Sequence, residues 1–170
     1  MIRSELPGDE AAIFAVTEAA FGNHPHSEGT EPYIIDALRA DGDLLASLVA
    51  EDDGTIIGHV AYSPATLSDG SDGWWVLGPI SVLPARQGEG IGRRLVEHGS
   101  SIARERGAKG IILVGDPALY GRFGFIQDTP IQLDEPLAPY LQVLAFTDHI
   151  PAASVGFAPA FAAQAPVKDR

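Results

Sequence analysis

The chain has 170 residues, 45% of them hydrophobic, which is the size and composition of one globular domain with a core of its own. It contains no cysteine, which excludes disulfides, thiol nucleophiles and cysteine metal sites, and its net charge of −12 argues against nucleic acid as a partner. The first residues carry no apolar signal region and no stretch is long enough to cross a membrane, so we expect a cytoplasmic protein.

The N-terminal quarter predicts one strand and two helices separated by a polar loop. In chain order these are a strand at 2–6, a helix that starts at 7–10, a loop at 22–30 and a helix at 32–40. The helices are predicted from their apolar stripes, which are Ile13, Val16, Ala20 and Phe21 in the first and Ile34, Ile35 and Leu38 in the second.

The next segment predicts a three-stranded meander with strands at 44–50, 55–63 and 74–83. The stretches 51–54 and 68–73 have the composition of the two turns between them. Gly78-Pro79 conflicts with the third strand, because proline cannot donate to a ladder and glycine weakens a strand interior. We therefore expect a bulge or a splayed strand at this point.

The C-terminal half begins with the strongest helical pattern of the chain, at 89–106, capped by Gly107. One face of this helix carries Ile91, Leu95, Ile102 and Ala103. The further elements expected, in chain order, are a buried strand at 110–115, a short helix at 117–122, a strand that begins at 124–126, and strands at 140–146 and 155–157. We expect the Ala/Pro-rich tail after Ala158 to be loosely ordered.

The junction between the third meander strand and the long helix has the composition of a phosphate site. Three glycines alternate along 88–92, which lets the backbone approach a ligand closely, and the first amides of the following helix have no internal partner. Arg86, Arg93 and Arg94 crowd this end, although a helix N-terminus favours acids rather than bases. A bound polyanion would explain this placement better than a plain surface turn.

Two stretches resemble motifs of the GCN5-related N-acetyltransferase (GNAT) superfamily. The stretch Gln87-Gly88-Glu89-Gly90-Ile91-Gly92 is similar to the family's Gln/Arg-x-x-Gly-x-Gly/Ala, which lies between its fourth strand and third helix. The stretch 114–125, with Gly-Asp-Pro-Ala-x-Tyr-Gly-Arg-Phe-Gly-Phe, is similar to the bacterial YhbS-type predicted N-acetyltransferases. The element order matches from about 2 to 126.

The resemblance implies an α/β fold with a central, mostly antiparallel sheet, splayed between strands four and five and flanked by helices. The expected organisation is a single domain at 1–170, with a core at about 1–126 and C-terminal strands and tail at 127–170.

The resemblance also implies acetyl-CoA as the donor and direct transfer to an amine. The pyrophosphate would bind the amides of 88–93, and the pantetheine arm would pair with the exposed backbone of the bulged strand. The donor-binding residues expected on this basis are Ile80, Ser81, Val82, Gln87, Gly88, Glu89, Gly90, Ile91, Gly92 and Arg93. The amide of Val82 is the expected oxyanion donor, and Tyr120 occupies the family's position for the acid that protonates the CoA thiolate.

The general base is not identified by the sequence. His59 lies on a predicted strand between apolar neighbours, and we favour a structural histidine over a base. His24, His26, Glu28 and Glu31 belong to the segment that lines the acceptor cleft in relatives, although solvated loop residues are the simpler interpretation. His98 is expected in solvent. Asp116 replaces an asparagine frequent in relatives and is expected to cap the short helix. No cluster has metal-ligand spacing.

Three functions compete. An acetyl-CoA-dependent N-acetyltransferase is favoured over a non-catalytic acyl-CoA sensor on the same fold because Tyr120 is present. A dinucleotide-binding oxidoreductase is disfavoured, because its Gly-x-Gly-x-x-Gly spacing differs from the alternation seen here. The chain's net negative charge points to a cationic amine acceptor, near acids that the N-terminal part supplies as Glu28, Glu31, Asp36, Asp41 and Asp43. A homodimer is left open.

Overall fold

The computed structural model of the chain describes residues 1–22, 24–25 and 27–166. Its strands are β1 (Ile2–Ser4), β2 (Ala46–Asp52), β3 (Thr55–Pro64), β4 (Thr66–Leu67), β5 (Trp74–Val82), β6 (Gly110–Val114), β7 (Ile131–Gln132), β8 (Leu141–Ala145) and β9 (Ala153–Gly156). Its α-helices are α1 (Glu10–Phe21), α2 (Glu31–Ala40), α3 (Ile91–Glu105) and α4 (Pro117–Tyr120). Both predicted helices of the N-terminal quarter and all three meander strands are confirmed.

The main sheet has six strands in the order β1-β2-β3-β5-β6-β8, and a small sheet has the order β4-β9-β7. Neighbours in the main sheet are antiparallel except β5 and β6, which run parallel. This architecture confirms the predicted fold class of a mostly antiparallel sheet flanked by helices. The fourth strand of the family pattern corresponds to β5, since β4 lies in the small sheet.

The helices cover both faces of the main sheet. Alternate residues of a strand point to opposite faces, and the buried side chains of the sheet follow this rule. Leu48 and Val60 pack with Leu95 of α3, whereas Val49 and Ala61 belong to the cluster formed with α1 and α2. The core is therefore divided into an α3 side and an α1–α2 side.

The expected bulge and splay are both present in β5. Val60 and Tyr62 of β3 pair with Ile80 and Leu77, so one β3 residue lies opposite the two residues Gly78 and Pro79. The peptide bond between those two residues is cis. Among the described residues, β5 pairs with β6 only over Trp74–Val76, which leaves the rest of β5 without a partner on that side.

Three expectations for the local structure are wrong. Helix α3 begins at Ile91 rather than at Glu89, because Gly90 takes the left-handed conformation (φ 79°) and forms the N-cap. No strand forms at 124–126, where Gly124 is also left-handed and Ile126 makes a single bridge with Val143. The tail after Ala158 is ordered in its described part.

This tail owes its order to small apolar side chains. Pro159–Ala162 forms a 3₁₀ turn, and Ala158 and Ala160 are buried in the same cluster as Ile34 and Leu38 of α2. Small side chains let the turn lie close against the helix, so the segment buries apolar surface in spite of its loop-like composition.

No helix in the described part of the chain combines the length and the apolar character that crossing a bilayer requires.

Candidate active site

The open edge of β5 presents backbone groups to the gap left by β6. The amide of Leu83 donates to the carbonyl of Ile57 on β3 at 2.9 Å. Backbone groups in an antiparallel strand point to alternate sides, so those of Ser81 face β3, whereas those of Ile80 and Val82 face the gap. Two of the three predicted strand residues therefore offer backbone groups there, and Ser81 offers none.

The glycine-rich turn leads from this edge into α3. Gly88 (φ 83°) and Gly90 (φ 79°) are both left-handed, which explains glycine at these two positions. Gly92 has no such requirement, and a Cβ built on it would meet only the side chain of Val82, at an ordinary 3.8 Å. The amide of Arg94 is the first to bond inside the helix, to the carbonyl of Gly90. The amides at 91–93 therefore point out of the helix end.

Two of the three arginines around this turn form ion pairs with acidic side chains of the same chain. Arg86 forms ion pairs with Asp52 (2.9 Å) and Glu89 (2.7 Å), and Arg93 pairs with Glu97 (2.8 Å). Within the described residues, Arg94 makes no ion pair. These pairs offset part of the positive charge that crowds the helix end, so the phosphate-site prediction depends mainly on the amides.

Tyr120 lies beyond the end of β6, on the α3 side of the gap. Its ring lies on Gly115, where a Cβ would come within 2.6 Å of the ring. Phe123 makes an edge contact with Tyr120 at a centroid distance of 6.1 Å, and the guanidinium of Arg93 lies 5.9 Å from the Phe123 ring. Burial, with a smaller effect of Asp116, raises the pKa of Tyr120 to about 12.

Asp116 has the structural role expected for it. Its carboxylate accepts a hydrogen bond from the amide of Ala118 at 2.9 Å and thereby caps α4. The backbone carbonyl of Asp116 also accepts from the amide of Tyr120 at 3.0 Å. The cap therefore fixes the start of the turn that carries Tyr120.

His59 is fully buried on the α1–α2 side and belongs to a polar network. Its Nε2 lies 2.8 Å from the hydroxyl of Ser47, which donates to the carboxylate of Glu5. Ser47 therefore accepts from Nε2–H. Arg39 donates to the other oxygen of Glu5 at 2.7 Å. Burial, and then the charge of Arg39, lower the pKa of His59 to about 3. A neutral, bonded imidazole supports a structural role over that of a base.

The loop expected at the acceptor cleft is described except for Asn23 and His26, so the expectation for His26 lies outside the described residues. Ser27 donates to both oxygens of Glu31, at 2.7 and 2.8 Å, and Glu28 is exposed. Asp36 pairs with Arg39 at 2.9 Å, toward the far end of α2. Of the five acids expected around the cleft, only Glu28 and Glu31 lie where α2 begins.

Two buried residues that contact predicted site segments have no signal in the sequence. Thr17 on α1 lies 3.4 Å from the hydroxyl of Ser81, and Gln142 on β8 is buried beside Gly115. These contacts join segments far apart in the chain, and neither residue belongs to a motif.

His98 is exposed, as expected. No group of three His, Cys, Asp or Glu in the described residues could hold a metal ion.

Comparisons with known proteins agree with this geometry. The model of the acetyltransferase (GNAT) family matches residues 12–125. An Escherichia coli (strain K12) protein named "Uncharacterized N-acetyltransferase YhbS" is 39% identical over 127 residues, which are 74% of this chain and 72% of that protein.

Two crystal structures share nearly the whole fold. A GNAT family acetyltransferase from Brucella melitensis in complex with acetyl-CoA is 46% identical, with a TM-score of 0.86 over 95% of this chain and 97% of that chain. The Escherichia coli YhbS structure in complex with CoA is 32% identical, with a TM-score of 0.87 over 95% and 91%. The match of the family model over most of the chain, together with these relatives, shows that the chain belongs to the acetyltransferase (GNAT) family.

Proposed function

We propose that the protein is an acetyl-CoA-dependent N-acetyltransferase that moves an acetyl group directly from CoA to a primary amine of a small molecule or peptide. The observation that carries this proposal is the open edge of β5, which ends in the glycine-rich turn before α3. An extended acyl-CoA matches this arrangement, because its arm can pair with a strand edge while its phosphates meet helix amides. The Brucella melitensis relative, crystallised with acetyl-CoA, supports the same donor for this chain.

The donor would be bound mainly by the main chain. The pyrophosphate would accept hydrogen bonds from the amides of 88–93, and the pantetheine arm would pair with Ile80 and Val82. Glu89 and Arg86, which are paired with each other, would border the phosphates, and Arg93 would add a cation at the first turn of α3. This assignment keeps the predicted donor-binding residues except for the backbone of Ser81, which faces β3.

The chemistry would be a direct transfer in which the amine nitrogen attacks the thioester carbonyl. The resulting oxyanion would accept a hydrogen bond from the Val82 amide, which already points into the gap. When the intermediate collapses, the carbon–sulfur bond breaks and the sulfur takes the hydroxyl proton of Tyr120. With its pKa near 12, Tyr120 is protonated at neutral pH and ready to donate. The nitrogen of the intermediate releases a proton to solvent to give the neutral amide, and the tyrosinate recovers one from solvent.

We further propose that the acceptor is a small cationic amine. Glu28 and Glu31 lie where the loop at 24–30 enters α2, and the chain carries a net charge of −12. Acidic walls concentrate cations near a cleft and would hold an ammonium group until it loses its proton. Asp36 contributes less to this field, because it lies further along α2 and pairs with Arg39, which it shares with Glu5.

A thiol-release assay tests the transfer. Purified protein is incubated with acetyl-CoA and a panel of polyamines, aminoglycosides, amino acids and peptides, and free CoA is measured together with the acetylated product. Acetyl-CoA binding by calorimetry and product with at least one amine are expected. Tight binding without release over a wide panel would instead assign the protein as an acyl-CoA sensor, and absence of binding would overturn the donor.

A further inference from the structure

We propose that Gln142 is a positioning residue for the reaction, because it fixes the backbone on which the ring of Tyr120 lies. This inference rests on the proposed function, in which Tyr120 protonates the leaving thiolate. Gln142 lies on β8, opposite Leu113 of β6, and therefore does not belong to either stretch that carries the family motifs.

Within the described residues, the buried side-chain amide of Gln142 donates two hydrogen bonds and accepts none. It is 1% exposed, and its Nε2 donates to the carbonyl of Gly115 at 3.0 Å and to the carbonyl of Tyr140 at 3.3 Å. Its Oε1 is buried and makes no hydrogen bond within the described residues. The orientation is fixed, since a flipped amide would bring Oε1 against two carbonyl oxygens. The side chain thus acts through its two donated bonds.

Gly115 is held from both ends of its backbone. Its amide donates to the carbonyl of Tyr140 at 3.0 Å, and its carbonyl accepts from Gln142. Gly115, Tyr140 and Gln142 therefore form a closed set of three hydrogen bonds at the end of β6, beside the gap. A segment fixed in this way cannot rotate its peptide plane without leaving a buried group unpaired.

The ring of Tyr120 depends on that fixed backbone. A Cβ on Gly115 would lie 2.6 Å from Cε2 and 3.0 Å from Cδ2 of the ring, so the ring lies directly on the glycine. The ring also makes edge contacts with Phe123 and Phe125, each with its centroid 6.1 Å from that of Tyr120. A shift of Gly115 therefore moves the hydroxyl of Tyr120 relative to β5, where the thiolate forms.

The test uses Gln142→Met, which keeps the length of the side chain and removes both donors. We expect kcat to fall by about tenfold with the KM for acetyl-CoA unchanged, because misplacing a group by a fraction of an ångström costs rate rather than binding. In a Tyr120→Phe background, the same change should lower kcat by less than about twofold, since the group it positions is gone.

Gln127→Met is the matched control. The side-chain amide of Gln127 also donates a hydrogen bond to a carbonyl of this segment, that of Pro139, at 2.7 Å. Gln127 is exposed, however, and makes no hydrogen bond to Gly115. It should leave kcat unchanged. Gln142→Glu guards against a failure of the Met variant to fold. Burial keeps its carboxyl protonated, so it donates one of the two bonds and should give an intermediate kcat.

The outcomes separate this inference from the proposed function. Full kcat in both Gln142 variants, with Tyr120→Phe impaired, would overturn the positioning role alone. Equal losses in the wild-type and Tyr120→Phe backgrounds, tracking a fall in melting temperature, would show a merely structural residue and also overturn it. Full activity of Tyr120→Phe itself would refute the acid assignment on which the inference rests.

Discussion

Gln87 donates a hydrogen bond from its side-chain Nε2 to the backbone carbonyl of Val82, at 3.2 Å. The glycine-rich turn is thereby tied to the end of β5. The carbonyl of Val82 is occupied by this bond, whereas the amide of Val82 makes no bond to β3 and points into the gap. Gln87, one of the predicted donor-binding residues, thus joins the two parts of the proposed donor site.

Gly92→Asp should weaken acetyl-CoA binding without harming the fold. Gly92 has ordinary backbone geometry, and an acid in the first turn stabilises a helix by roughly 0.3–1 kcal/mol. The same carboxylate would repel the pyrophosphate, and two unit charges about 4 Å apart near a protein surface interact by about 4 kcal/mol. We expect calorimetry to show a Kd raised at least tenfold.

The isosteric Gly92→Asn separates charge from volume in this experiment. It should lose far less affinity than the aspartate, because it brings a side chain of the same size and shape without the charge. Equal affinity of the Asp and Asn variants for acetyl-CoA would place the phosphates elsewhere. Positions 88 and 90 are unsuitable for this comparison, since any side chain there is strained by a positive φ.

Tyr120→Phe should lower kcat by on the order of 100-fold while acetyl-CoA binding stays nearly unchanged. The ring and its contacts with Phe123 and Phe125 remain, so only the hydroxyl proton is lost. Because burial raises the pKa of Tyr120 to about 12, the wild-type rate should not fall through loss of this proton below about pH 11. Steady-state kinetics across pH 6–10 with a confirmed acceptor measure both effects. Weakened donor binding with kcat retained would assign Tyr120 a binding role.

The fold was largely predictable from local patterns. Apolar periodicity located α1, α2, α3 and the meander, and the conflict at Gly78-Pro79 located the bulge. The point where β5 stops pairing with β6 could not be derived in this way, because a strand's partner depends on segments distant in the chain.

The candidate site was predictable only where it lies in motifs. The sequence motifs predict the turn at 87–92 and Tyr120 as site residues, whereas no motif points to Gln142, whose contacts with Gly115 and Tyr140 are made only in the fold. The ion pair of Arg86 with Asp52 has no signal in the sequence, because Asp52 comes from the hairpin between β2 and β3. The tail after Ala158 shows that an Ala/Pro-rich composition does not exclude packing against a helix.

Salt should raise the KM of a cationic acceptor. The Debye length, over which charges are screened, falls from about 30 Å at 0.01 M to about 8 Å at 0.15 M ionic strength. We expect a severalfold rise over this range at saturating acetyl-CoA. Glu28→Gln should raise the acceptor KM in the same direction, whereas Asp41→Asn, at the opposite end of α2, should leave it unchanged. A panel that yields only neutral or anionic acceptors, with KM insensitive to salt, would contradict a cationic substrate.

His59 should make the protein less stable in acid. Its pKa is about 3 in the folded state against 6.5 for an exposed histidine, so the unfolded chain binds more protons between these values. The free energy of unfolding therefore rises with pH in this window, by up to about 1.4 kcal/mol per pH unit from this residue. The contribution of His59 to stability is complete above pH 6.5 and is lost progressively as the pH falls below that value.

His59→Gln should flatten this dependence, because glutamine keeps a polar group beside Ser47 but does not titrate. Denaturant unfolding at pH 4.5, 5.5 and 6.5 would compare the two slopes. His98→Gln, the same substitution at an exposed position, is the control. Parallel slopes for wild type and the His59 variant would show that His59 does not bind protons on unfolding.

The open edge of β5 has a consequence for the tolerance of the donor site to mutation. Peptide groups supply the proposed contacts at Ile80, Val82 and 88–93, and every residue other than proline carries the same peptide N–H and C=O. Most substitutions along this edge would leave the donor interaction in place. The sensitive positions are Gly78, Gly88 and Gly90, whose positive φ sets the backbone shape, and Gly92, where an acid would repel the phosphates. Acceptor recognition, by contrast, would depend on side chains such as Glu28 and Glu31. Random mutagenesis should therefore alter the choice of amine far more readily than the choice of donor.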